Sequence, residues 1–419
     1  MNILKLNRTG RQFSALLFSN YVYVVLAFVT NILMTHAMHE TEFGYYKYAL
    51  TIIAMSAALI NGGIHHSAAR LIALSDRSDE NPILNTTAFI TIGISGIFTI
   101  LGTLILVFIN KFFIEIEFVV FLAVPLVFSV MLQKMFTTIL KGDNLILDII
   151  FQVVLPQIFF LVGYIALKAA NTKINFETAL LIYAIVNIIV HSFTWFRLKI
   201  RFPANFIESF KEILQENKTN GFQLYKGSIA GVFIGDLLTV IVGGAVEKSI
   251  FGMYSLALSL STPIYLISRV MGTIKYKDNA HTLKLSNKNI GVTVIVSILA
   301  LITLNVGVNI LFPVFFETRY AGALDFLLIC SITYLIHGLG DYFNQFSASQ
   351  GLGKELKNGA YITGAVQLVS TILLAPSLGI TGLLIAKLIS SSVYCCCMVY
   401  IYVKYIGSNS SDEGLVYIR

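Results

Sequence analysis

Nine charged or strongly polar residues stand in or beside long apolar stretches of this chain: Lys47, Asn61, His65, Arg70, Asp236, Arg269, His337, Asp341 and Lys387. In hydrocarbon such groups are costly. They face a bundle interior or a water-filled cavity, where they bind ions, relay protons or meet a charged substrate. At 100° per residue, Lys47, Thr51, Ala54, Ala58, Asn61 and His65 fall within about 40° of one another on a helix. Eighteen residues at 1.5 Å each would put Lys47 and His65 about 27 Å apart on one face. Arg70 lies about 140° from that face. The cations Lys47, Arg70, Arg269 and Lys387, with Asn61 and His65, are candidates for lining a substrate cavity. Asp236 is a candidate proton or cation site, or the partner of a structural salt bridge to Lys387 or Arg269. His337 and Asp341, one turn apart, are either a proton relay or an ordinary buried pair.

The elements that position these residues follow from composition. The chain has 419 residues, 56% of them hydrophobic and 12% charged, with a mean hydropathy of +0.79. Ordinary soluble chains are about a quarter charged, so a water-surrounded globule is excluded. About 235 apolar residues would fill nearly a dozen spans of roughly 20 residues. Apolar runs such as Ile90–Ile109 and Gly291–Phe312 are too long for barrel strands. The expected fold is all-α, with about twelve transmembrane helices at 13–35, 44–72, 86–109, 113–139, 145–168, 176–196, 222–246, 250–274, 290–314, 321–349, 357–376 and 379–403. The basic start, Met1 to Arg11, reads as leading into a retained first helix. With that end in the cytoplasm, 22 Lys and Arg residues fall inside and 6 outside, a positive-inside bias that places both termini in the cytoplasm. The net charge of +7 therefore marks orientation and not a nucleic-acid partner.

An internal echo divides the spans. Phe43-Gly44-Tyr45-Tyr46 opens the second span and Phe251-Gly252-Met253-Tyr254 the eighth, 208 residues later. Lys141-Gly142-Asp143 and Gln350-Gly351-Leu352 follow the fourth and tenth, with an offset of 209 between their glycines. Shifting the Lys47 stripe by 208 gives Ser255, Ser259, Thr262, Leu266, Arg269 and Thr273, again largely polar. Six spans per half preserve orientation, so the halves would be parallel repeats around a central cavity. The expected organisation is an N-terminal six-helix bundle over 1–200, a cytoplasmic amphipathic connector over 201–221 and a C-terminal bundle over 222–419. Close helix packing through small residues is the alternative explanation of the stripes; it does not account for Lys47, His65 or Arg269.

Enzyme signatures are missing. Gly351-Leu352-Gly353-Lys354 is followed by Glu355 and lacks the upstream glycine of a phosphate-binding loop, so no ATP hydrolysis is expected. His36-Ala37-Met38-His39-Glu40 lacks the two-histidine zinc spacing, and Cys395, Cys396 and Cys397 read as reduced, buried thiols. No cofactor and no metal are expected. With twelve spans in two halves, Phe-Gly-x-Tyr opening spans two and eight, and Gly-x-Gly after span ten, the chain resembles the polysaccharide-repeat (O-antigen, Wzx-type) flippases of the multidrug/oligosaccharidyl-lipid/polysaccharide exporter superfamily. That resemblance implies a MATE-like fold in the bacterial inner membrane. It also implies a cationic cavity that carries an undecaprenyl-diphosphate-linked oligosaccharide between leaflets by alternating access. The partners would be the lipid-linked oligosaccharide, membrane lipid and other polysaccharide assembly proteins. A cation-coupled multidrug antiporter would favour acidic and aromatic residues in the cavity. A membrane glycosyltransferase or O-antigen polymerase would need a large extracytoplasmic loop, whereas the longest loop here, 197–221, is basic and cytoplasmic.

Overall fold

The computed structural model describes residues 8–74, 82–112, 117–142, 145–230, 234–279, 282–350 and 352–416. Among these no strand occurs; fourteen α-helices carry almost the whole chain. They are α1 (Arg8–Ala37), α2 (Glu40–Ile60), α3 (Ile64–Leu74), α4 (Pro82–Phe112), α5 (Phe118–Gly142), α6 (Ile146–Ala169), α7 (Phe176–Arg197), α8 (Phe206–Glu216), α9 (Phe222–Ser228), α10 (Ile234–Ala245), α11 (Lys248–Asn279), α12 (Asn287–Phe315), α13 (Ala323–Ser349) and α14 (Gly353–Val416). In a bilayer every backbone polar group must be satisfied internally, and an apolar helix does this within one segment.

Nine of the described helices are long and apolar enough to cross a membrane. One of them, α14, is two helices joined at Gly379, whose φ of 55° and ψ of −128° suit only glycine. The two arms form a hairpin so tight that a Cβ on Gly382 would collide with the Leu374 carbonyl. Counting those arms separately and adding the shorter apolar helices Val22–Ala37 and Ile234–Ala245 gives the twelve expected spans. The break between the eleventh and twelfth expected spans falls at this kink. The protein is a polytopic α-helical membrane protein.

Two compact units make up the chain, Met1–Ile229 and Ala230–Arg419. In the first, Ala68, Met135, Phe136, Ile139, Leu140 and Ile149 form a core that also takes in Ile213 of α8. Within residues 201–221, α8 forms an amphipathic helix whose Ile213 seats it on the first unit. The burial pattern follows the repeat. The third span of each half, α4 and α12, has only 6% of its apolar window buried, against 50% for α2 and 44% for α11. Ile100, Leu104, Ile295 and Leu299 lie open on those outer helices, as lipid-facing positions should. Both Phe-Gly-x-Tyr openings are interior: Phe43, Tyr46, Phe251 and Tyr254 are buried.

One expected span is not a continuous helix. The second breaks at Asn61-Gly62-Gly63, where φ reaches +59° at Gly62 and +83° at Gly63. Helical phase does not carry across such a break, so the single 27 Å stripe from Lys47 to His65 does not exist. Lys47 belongs to α2 and His65 to α3. Of the seventh, the described residues form α9, to Ser228, and α10, from Ile234. The corresponding stripe on α11 does lie on one helix, with Ser255, Ser259, Thr262 and Leu266 half-buried.

Candidate functional site

The densest polar cluster lies in the second unit, where α11, α13 and α14 meet. Its foundation is the run His337-Gly338-Leu339-Gly340-Asp341 on α13. A Cβ on Gly338 would stand 3.2 Å from the Tyr265 carbonyl oxygen of α11; one on Gly340 would stand 2.7 Å from the Tyr394 ring and 3.0 Å from the Cys395 Cα of α14. Missing side chains therefore let both neighbours approach closely. The approach brings two phenols to one carboxylate. Tyr265 donates to Asp341 Oδ2 at 3.2 Å, and Tyr394 donates to Asp341 Oδ1 at 3.3 Å. Asn344 donates to the Tyr394 hydroxyl at 2.7 Å, closing the network. Asp341 is buried, and a buried carboxylate persists only where donors replace its water.

His337 is not bonded directly to Asp341. Its ring stacks on Tyr394 with centroids 4.6 Å apart, lies 5.8 Å from the Tyr265 ring, and has Nδ1 3.5 Å from Ser391 Oγ. The two residues are joined through tyrosines, an arrangement the one-turn spacing alone did not disclose. Arg269 is exposed, with its guanidinium carbon 5.7 Å from the Tyr265 ring centroid, which tethers a cation to the same cluster.

Lys387 on α14 donates to the Tyr254 hydroxyl at 2.9 Å and lies 5.6 Å from that ring. Asp236 is half-buried in the first turn of α10 and is an electrostatic neighbour of Lys387. Gly235 faces the Gln367 side chain at 3.2 Å from where its Cβ would be.

In the first unit, Lys47 is treated much as Lys387 is in the second. It donates to Asn31 Oδ1 at 2.7 Å and lies 5.2 Å from the Phe43 ring. Each Phe-Gly-x-Tyr motif thus supplies an aromatic face to a membrane-embedded lysine: its Phe to Lys47, its Tyr to Lys387. Asn61 sits in the break after α2, and its buried Oδ1 has no hydrogen-bond partner. His65 is buried, with Nε2 3.0 Å from Thr91 Oγ1 of α4. The Arg70 side chain lies outside the described residues.

Several polar groups escaped the sequence reading. Lys134 of α5 reaches the Ala54 carbonyl at 3.4 Å. A buried network joins α5, α6 and α7: His191 Nε2 lies 2.9 Å from the Ser129 carbonyl, His191 Nδ1 is 3.1 Å from Gln152 Oε1, and Gln152 donates to Thr194. The stripe hydroxyls of Thr51, Ser259 and Thr262 bond the carbonyl four residues back, which satisfies them within their own helices. Among the described residues no group of three metal-capable side chains occurs.

The glycine spacing is testable. Gly340→Val should push Tyr394 away from Asp341 and destabilise the protein by about 1–3 kcal/mol, as overpacking does. Thermal unfolding in detergent measures this, and a wild-type midpoint would mean that α13 and α14 do not meet so closely.

An all-helical polytopic chain whose interior holds cations on aromatic faces, and a carboxylate among phenols, has the architecture of a membrane transporter. Solved structures agree on the fold. The chain is similar to the lipid II flippase MurJ in its inward closed conformation (TM-score 0.70, 12% identity, covering 97% of this chain and 92% of that one). It is also similar to an outward-facing multidrug resistance MATE transporter of the MOP superfamily (TM-score 0.57, 13% identity, 96% of each chain). A third is a MOP superfamily transporter from Pyrococcus furiosus whose binding pocket is described as having reverse polarity (TM-score 0.51, 13% identity, 94% of each chain). No curated protein sequence matches the chain. The polysaccharide biosynthesis protein family model matches residues 9–274, more than half of the chain, and the protein belongs to that family.

Proposed function

We propose that the protein is a flippase that carries an undecaprenyl-diphosphate-linked oligosaccharide, such as an O-antigen repeat unit, across the bacterial inner membrane. The observation that supports this most is the placement of Lys47 and Lys387 on aromatic faces within apolar helices, in a member of a polysaccharide biosynthesis family. A diphosphate entering a low-dielectric region without counter-charge faces a prohibitive desolvation cost. Arg and Lys in a hydrated cavity reduce it, while the polyprenyl tail stays in lipid. The fold shared with a lipid II flippase is compatible with such a substrate.

In this reading Lys47, Asn61, His65, Arg70, Arg269 and Lys387 meet substrate, and Asp236, His337 and Asp341 couple an ion gradient. Transport proceeds by alternating access between inward- and outward-open states. Both termini are cytoplasmic, as the 22-to-6 distribution of basic residues favours. The chain makes and breaks no covalent bond, and other polysaccharide assembly proteins supply and consume its cargo.

Deletion of the gene in its host separates the alternatives. The expected result is loss of surface polysaccharide, with completed lipid-linked repeat units accumulating on the cytoplasmic leaflet. Accumulation of truncated glycans would instead indicate a glycosyltransferase, and completed but unpolymerised units on the outer leaflet a polymerase. Intact polysaccharide with raised drug sensitivity would indicate a multidrug antiporter.

A further inference from the structure

The break in the second span is covered by a specific piece of chain. After α8, residues Asn217–Gly221 form a π-helical turn that leads into α9. This turn docks on Gly62 and Gly63, within the first unit. Asn217 uses both ends of its amide: Nδ2 donates to the Gly62 carbonyl at 3.1 Å, and Oδ1 accepts from the Ser67 hydroxyl at 3.0 Å. The Tyr225 hydroxyl of α9 donates to the Leu59 carbonyl. The backbones also touch, since a Cβ on Gly63 would collide with the Gly221 carbonyl and one on Gly221 with the Gly63 carbonyl and the Ser67 hydroxyl.

These bonds have a thermodynamic reason. A helix that stops leaves its last carbonyls without intrahelical partners. Gly63 is buried, and buried backbone persists only where protein supplies its hydrogen-bond partners. In an unbroken helix the Leu59 carbonyl would take the Gly63 N–H, and the Gly62 carbonyl the His66 N–H. In the bent form Tyr225 and Asn217 replace those two donors. The span therefore has two self-consistent arrangements: bent with residues 217–225 in place, and straight without them. The apolar run on both sides of Asn61 suits the straight form equally well, since it reads as one helix over 44–72. The two left-handed glycines suit the bent one.

We propose that residues 217–225 are a strap over a glycine hinge, so that straightening of the second span and release of the strap are one event. The strap is also the route by which the chain leaves the first unit, so bending of α2 against α3 and the position of this connector are coupled. Reciprocity is required of any such coupling: a change at the hinge must loosen the strap, and a change at the strap must straighten the hinge.

Hydrogen-exchange mass spectrometry on the full chain in lipid nanodiscs tests this. Gly62→Ala disfavours the bend without touching the strap, and Asn217→Ala weakens the strap without touching the hinge. Both are expected to speed exchange at 217–221 about tenfold while slowing it at residues 62–66, where the Ile64 and His66 N–H groups trade three-residue turn bonds to Asn61 and Gly63 for full helical bonds four residues back. The opposite signs distinguish straightening from fraying. Faster exchange in both segments, or a change confined to the mutated side, would overturn the proposal. A disulfide between Cys residues introduced at Ser67 and Asn217 should return residues 62–66 of Gly62→Ala to wild-type exchange, and thiol reduction should undo this; unchanged exchange in the cross-linked form would also overturn it. The readout does not depend on any substrate, so its failure would leave the transport reading untouched.

Discussion

Arg269→Glu is expected to abolish surface polysaccharide in a complementation assay while the protein remains in the membrane at its normal level. The side chain is exposed, so its replacement should cost the fold within about 0.5 kcal/mol. Its guanidinium lies beside the Tyr265 ring, and the Tyr265 hydroxyl binds Asp341. A glutamate there replaces a cation on the proposed diphosphate path with an anion. Its juxtaposition with an anionic substrate costs several kcal/mol, and a loss of only about 2.7 kcal/mol of transition-state stabilisation already lowers a rate about 100-fold. Arg269→Lys keeps the charge but loses the planar fork that matches phosphate and stacks on aromatic rings, so an intermediate loss is expected. Wild-type polysaccharide output from a normally inserted Arg269→Glu protein would take Arg269 out of the substrate path.

How far the sequence disclosed this site depends on which physical signal each residue carries. Apolar runs report spans because burial in lipid acts on about twenty residues at once, and the tight turn near Gly379 was readable as a boundary for the same reason. Charges inside those runs stand out, so Lys387 and Asp341 were found. Their partners were not. Tyr254, Tyr265 and Tyr394 are amphipathic and do not interrupt the apolar runs; Tyr254 meets Lys387 only where α11 and α14 come together, and the approach of α11 and α14 to Gly338 and Gly340 brings the Tyr265 and Tyr394 hydroxyls to Asp341. The His-Gly-Leu-Gly-Asp run was visible, and small residues around two ionisable ones are a signal for close helix approach that could have been used. Asn61-Gly62-Gly63 carried an ordinary turn signal as well. Apolar residues on both sides and a total length that suits one span outweigh that signal. What settles the matter is Asn217, about 150 residues away in sequence, supplying the donor that a broken helix needs.

Asp341→Ala carries the second large effect. The substitution leaves the Tyr265 and Tyr394 hydroxyls without their acceptor. A buried donor left unsatisfied costs about 1–3 kcal/mol, so two give about 2–4 kcal/mol after partial relaxation, read as a lowered unfolding midpoint in detergent. Asp341→Asn keeps the shape and one accepting oxygen, and should cost about 1 kcal/mol. The two variants therefore separate structure from transport. If Asp341 couples an ion gradient, Asp341→Asn should fold nearly normally yet lose gradient-dependent transport in vesicles. Gradient-dependent transport at the wild-type rate in that variant would remove Asp341 from coupling. A double-mutant cycle with Tyr394→Phe completes the argument. Groups in one hydrogen-bond network couple by about 0.5–3 kcal/mol, and independent ones add within about 0.5 kcal/mol. Additive losses for Asp341→Asn and Tyr394→Phe would mean that the carboxylate and the phenol do not act together, and the stacked His337 would then have no route to Asp341 through Tyr394.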